Sequence, residues 1–84
     1  MRQVDTAGRW LRRVARMWWT DGERFAADAR RADDATLLEM YRWAVDHEHG
    51  AEARGAGRNP RARRMFNGMT RRAAAELERR GLPF

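Results

Sequence analysis

Cysteine, serine, lysine and isoleucine are all absent from the 84 residues. Without Cys there is no disulfide, no thiolate nucleophile, no iron–sulfur cluster and no thiolate zinc site, and nothing points to an oxidising compartment. Without Ser there is no Ser-His-Asp triad, and without Lys neither a Schiff base nor the lysine of a phosphate-binding loop. Four Thr, one Tyr, two His and the carboxylates are all that remains for covalent chemistry. The expectation is a protein that is not an enzyme and carries no cofactor.

Large apolar residues are also scarce. Five Leu, three Val and three Phe fall well below the roughly 20 percent of such residues usual for a self-sufficient core at high charge. Four Trp and five Met must supply the missing bulk. Such a thin core calls for a homo-oligomer or a place as a subunit of a larger assembly. No apolar run exceeds three residues, Met17-Trp18-Trp19 being one of them. That is too short for a membrane span or for the apolar stretch of a secretory signal, so the chain reads as soluble and cytoplasmic. Arg in place of every Lys, with 15 Ala and no Ile, is also what GC-rich codons give, which suggests a bacterial or mobile-element source.

Intrinsic preference is helical throughout, because β-branched residues are few while Ala, Arg, Glu, Met and Leu abound. The fold class expected is all-α, a single domain over residues 1–84 built as a three- or four-helix bundle. A first helix is expected from about Ala7 to Trp19, capped by Asp5 or Thr6 and stopped by Thr20, Asp21 and Gly22. On it Val4, Ala7, Trp10, Leu11, Val14, Met17 and Trp18 share one arc. Glu23 to Arg31 reads as a short helix with Phe25 and Ala29 inward, or as an irregular connector. Asp33 caps the next helix, with Ala32 and Leu37 as a staple, and Gly50 ends it. Leu37, Leu38, Met40, Tyr41, Ala44 and Val45 form its inner side, and Glu39, Arg42 and Asp46 its wet one. Residues 50–58 read as a flexible Gly/Arg-rich loop. Asn59 and Pro60 then start a last helix that runs to Arg80, with Gly81 at its C′ position and Leu82 and Pro83 closing it. Its inner face is Ala62, Met65, Phe66, Met69, Ala73 and Leu77, and Asn67-Gly68 is its weak point, costing about 1 kcal/mol relative to Ala if the helix is continuous, with a kink or break there as the alternative.

The 18 arginines outweigh 12 acids for a net charge of +6, and the two signs are segregated. Residues 1–20 and 54–84 are basic, while residues 21–53 hold nine acids against four Arg. Between Glu52 and Glu76 there is no acid, and seven arginines fall there: Arg54, Arg58, Arg61, Arg63, Arg64, Arg71 and Arg72. A Gly-rich loop carrying Arg into a helix N-terminus presents guanidinium forks, free N–H groups and the positive end of the helix dipole together. This points to nucleic acid, DNA or RNA, held mainly by its phosphates, with affinity that falls steeply with salt and little base discrimination. Arg9, Arg12, Arg13 and Arg16 form a second basic surface on the first helix. The competing account is that these charges are solvated or neutralised by the central acids.

The alternative function is a protein-interaction module, an adaptor, inhibitor or small subunit. Trp19 is its candidate contact, since Trp18 and Trp19 are 100° apart on a helix and cannot both face one core. Asp46, His47, Glu48 and His49 lack metal-ligand spacing on a helix, because residues two apart point away from each other. No metal site is expected there. Gly55-Ala56-Gly57 lacks the third glycine and the flanking strand of a dinucleotide fingerprint.

Overall fold

The computed structural model describes residues 9–11, 13–18, 21–53 and 60–84, the side chains of 51–53 excepted. Among these there are four helices and no strand, so the protein is all-α. We number them α1 (residues 9–11 and 13–18), α2 (Gly22–Arg31), α3 (Asp34–Ala53) and α4 (Pro60–Arg79). The expectations at Val4, Asp5, Thr6, Ala7 and Arg12, at Trp19 and Thr20, and at residues 54–59 lie outside the described residues.

Two helix starts follow from a side chain that answers the free N–H groups there, and one helix end from backbone bonds at a glycine. Asp21 is extended and its Oδ1 accepts the Glu23 N–H at 3.1 Å. It is therefore the N-cap of α2, and Gly22, expected to be part of a stop signal, is the first residue of that helix. Asp33 caps α3 through the Thr36 N–H at 2.8 Å, while Ala32 and Leu37 both pack into the core. At the far end of α4, Gly81 takes a φ of 73°. The Leu82 N–H donates to the Leu77 carbonyl at 3.0 Å and the Gly81 N–H to that of Glu78 at 3.0 Å. These two bonds are the Schellman pattern, which needs a residue tolerant of positive φ at C′.

One helix end is corrected and one open question is answered. Helix α3 does not end at Gly50 but runs on to Ala53. A glycine ends a helix only where the chain turns left-handed, and Gly81 is the one described glycine with positive φ; the Ala-Glu-Ala that follows Gly50 is good helix-forming sequence. Helix α4 is continuous through Asn67-Gly68.

Cross-links fix how the helices run. Arg80 reaches Asp34 at one end of α3 and Asn67 reaches Glu48 toward the other, so α3 and α4 are antiparallel. Arg72 meets Gly22 and Arg80 meets Ala29 and Arg30, so α2 runs in the same direction as α4. The core between them is Leu11, Val14, Trp18, Phe25, Ala29, Leu37, Met40, Ala44, Phe66, Met69, Ala73 and Leu77. Trp18 is 0% exposed at its centre, with ring centroids 5.9 Å from Trp10, 4.9 Å from Phe25 and 5.0 Å from Trp43, all edge-on. Its indole N–H donates to Asp28 Oδ2 at 2.9 Å. Edge-on aromatic pairs add about 0.5–1.5 kcal/mol each beyond their buried area, which is how so few aliphatic residues suffice. Met17, placed on the inner arc by periodicity, is instead 39% exposed.

Candidate nucleic-acid interface

Helix α4 carries three different faces because its residues alternate in kind at helical spacing. Phe66, Met69, Ala73 and Leu77 are buried against α2 and α3. On the α3 side, Asn67 Nδ2 donates to Glu48 Oε2 at 2.9 Å. Thr70 Oγ1 lies 3.1 Å from Glu48 Oε1 and 3.0 Å from the Phe66 carbonyl, so its single proton serves one of them at a time. On the α2 side, Arg72 Nη1 donates to the Gly22 carbonyl at 3.0 Å. Arg61, Arg63, Arg64, Arg71 and Arg72 are all exposed. Arg64 and Arg71 are seven residues apart, hence about 10 Å along one face, and neither has a carboxylate partner among the described residues.

Several of the central acids are engaged elsewhere, while Glu48 lines a hollow with Arg63 and Arg64. Asp21 and Asp33 are caps. Thr36 holds the Asp33 carboxyl below the usual carboxylate range through its side chain and backbone, with Arg80 adding to the effect. Asp28 serves the Trp18 indole and Arg24 Nε at 3.3 Å. Glu39 pairs with Arg42 at 3.2 Å on its own helix. None of these four acids is paired with Arg64 or Arg71, the pairing that the neutralisation account requires.

The other half of the ledger of charge is a cluster that sequence reading missed. Glu76 is 7% exposed and accepts Arg79 Nε at 3.0 Å, Arg79 Nη2, and Arg80 Nε at 2.9 Å. Arg79 first and Arg80 second hold its carboxyl at about 2, against an ordinary 4.5, and both guanidinium groups are raised in turn by Glu76. Arg80 also donates to Asp34 Oδ1 at 3.0 Å and to the Ala29 and Arg30 carbonyls at 3.2 Å each, which answers the open C-terminal carbonyls of α2. The i,i+4 spacing of Glu76 and Arg80 was the available signal. Arg79 and Arg80 thus belong to the fold.

Two shallow hollows flank the outward ridge of α4, and Arg64 lines both. One, of about 390 Å³, is lined by Glu48, Pro60, Arg63, Arg64 and Asn67. The other, of about 210 Å³, is lined by Gly22, Arg64, Met65, Gly68, Met69 and Arg72. On α1, Arg9, Arg13 and Arg16 are exposed, while Arg12, Trp19, Arg54 and Arg58 lie outside the described residues.

His47 Nδ1–H donates to the Trp43 carbonyl at 2.9 Å, and its ring lies 4.3 Å from Trp43 and 5.4 Å from Phe66. It packs; its neighbour His49 is exposed. Among the described residues no three His, Cys, Asp or Glu side chains are grouped to hold a metal ion, and no helix is long and apolar enough to cross a membrane. No protein-family model, curated protein or solved structure matches the chain.

Proposed function

We propose that the protein is a small non-enzymatic helical protein that binds nucleic acid through its phosphate backbone, with the first half of α4 as the contact surface. The observation that carries this reading is the pair Arg64 and Arg71, exposed on one face and without a carboxylate partner among the described residues, in a stretch with no acid of its own. Guanidinium forks presented from a helix suit phosphate geometry well. They carry no base preference unless aimed into a groove. Arg61, Arg63 and Arg72 flank the pair, Arg54 and Arg58 precede it in the chain, and the Arg9, Arg13 and Arg16 face of α1 offers a second basic surface. The alternative reading, a module that docks another protein through Trp19, rests on a residue outside the described ones.

The test is binding of single-stranded and duplex DNA and of RNA across a salt series. Tight binding at low salt is expected, with affinity falling by about 0.7–0.9 in log K per log salt for each phosphate engaged. An Arg64→Ala, Arg71→Ala double variant should keep the fold and lose about two such contacts. Absence of binding at low salt, or an unchanged slope in the double variant, overturns the proposal.

A further inference from the structure

Gly68 has no evident reason to be glycine. It lies in mid-helix, its φ is not positive, and a Cβ built there meets no described residue within 4 Å. A glycine in a helix interior costs about 1 kcal/mol relative to alanine, so neither backbone geometry nor internal packing among the described residues accounts for it. What the missing side chain leaves open is the 210 Å³ hollow on the α2 side of α4. Arg64, Gly68 and Arg72 follow one another at i, i+4 and i+8, one line along the helix surface. Arg72 is held in place by the Gly22 carbonyl through Nη1, which leaves its Nε and Nη2 without an acceptor among the described residues. Arg64 has no partner there at all. Among the described residues no carboxylate lines this hollow; of the two acids that adjoin its Gly22 wall in sequence, Asp21 is turned onto the Glu23 N–H, and Glu23 lines the separate hollow on the other side of Arg72, with Glu76.

We infer that Arg64, Gly68 and Arg72 form a seat for a phosphoryl group: a guanidinium group flanks it on either side, and the absent Cβ leaves room for its oxygens between them. Charge-assisted bonds from two forks suit a tetrahedral anion, and glycine is the residue that permits close approach to a backbone. The inference deepens the nucleic-acid reading and rests on it for the source of the phosphate, since a free phosphate ester offers the same chemistry.

The test uses the full chain with Gly68→Leu and Gly68→Ala variants. Both substitutions favour the helix, so thermal melts should show equal or higher stability, and weaker binding cannot then come from unfolding. Each protein is titrated with an oligothymidylate, and separately, at fixed ionic strength, with inorganic phosphate while the Gly68-region amides and the Arg64 and Arg72 Nε–H signals are followed by NMR. The expected result is oligothymidylate affinity at least about fivefold lower in Gly68→Leu, a smaller loss in Gly68→Ala, and a salt slope reduced by about one contact. If wild type binds the oligonucleotide and Gly68→Leu binds it equally well, the seat is refuted and the broader nucleic-acid proposal stands. If wild type ignores the oligonucleotide yet shows saturable phosphate shifts that Gly68→Leu abolishes, the seat stands and the nucleic-acid proposal falls. If neither ligand registers, both fall.

Discussion

Replacing Glu76 by Gln removes one charge from the place where it is most tightly held. The carboxylate is 7% exposed, is met by both Arg79 and Arg80, and titrates at about 2 rather than 4.5. By linkage such a displacement corresponds to at most about 3 kcal/mol of stability. Arg79 is 69% exposed, so solvent screens much of its share, and a figure of about 2 kcal/mol is the working expectation. Because the folded state lowers this carboxyl, its contribution is complete above the unfolded value near 4.5 and is lost as pH falls toward 2. Urea denaturation followed by Trp fluorescence, run on wild type and Glu76→Gln from pH 7 down to pH 2.5, checks both magnitude and window. The difference between the two proteins should be about 2 kcal/mol at pH 7 and fall below half of that by roughly pH 3. Taking the difference cancels the titration of the other carboxylates, Asp33 included, to first order. A difference under about 0.5 kcal/mol at pH 7, within the range of an ordinary surface pair, would refute the reasoning. So would one that persists undiminished at pH 2.5.

Two further substitutions address the frame that holds the basic surface. Gly81→Ala places a side chain at a φ of 73° and should cost about 1 kcal/mol, lowering the thermal midpoint by roughly 4–8 °C; no change would mean the Schellman end is dispensable. Trp18→Phe removes the indole donor to Asp28 and leaves a small void at a fully buried ring of the core. A loss of about 2–3 kcal/mol in urea unfolding is expected, and a value near zero would mean that the aromatic cluster repacks freely.

The caps and the inner faces were legible because they depend on neighbours in the chain. Asp33, the Ala32–Leu37 staple, Phe25 and Ala29, and the Gly81-Leu82-Pro83 ending all act within a few residues of themselves. What lay beyond reach depends on residues far apart in sequence. Trp43 was assigned to neither side of α3, yet it meets Trp18 and Phe66. Its role appears only once α1 and α4 are laid against α3. Arg80 joins three helices through partners 46 to 51 residues away, a placement no local pattern states. Gly22 misled for a related reason: after Asp21 it could punctuate either the helix before or the helix after, and only the Asp21 side chain on the Glu23 N–H decides between them. Of the candidate arginines, five sit exposed on described α4, and that Arg64 and Arg71 share a face follows from helical periodicity alone. That Arg72 is tied to Gly22 does not.

A single helix therefore treats its arginines in two opposite ways, and the change comes within one turn. Arg79 and Arg80 lie beside Glu76, three and four residues on, so their charge is answered by the helix itself and Arg80 can be drawn into the protein at 17% exposure. Arg64 and Arg71 have no acid at either spacing, because none occurs in the chain between Glu52 and Glu76. Bringing them inward would leave a buried charge unpaired, which costs several kcal/mol, so they remain at the surface. The same rule that makes the end of α4 a structural clamp makes its beginning a persistent positive face. Burial requires a carboxylate at i±3 or i±4 or one supplied by a neighbouring helix; α2 and α3 bring theirs to Arg80, through Asp34 and the α2 carbonyls, and not to Arg64 or Arg71. The basic face is thus a consequence of where the acids are missing, which is why it tracks the acid-free stretch rather than the arginine count.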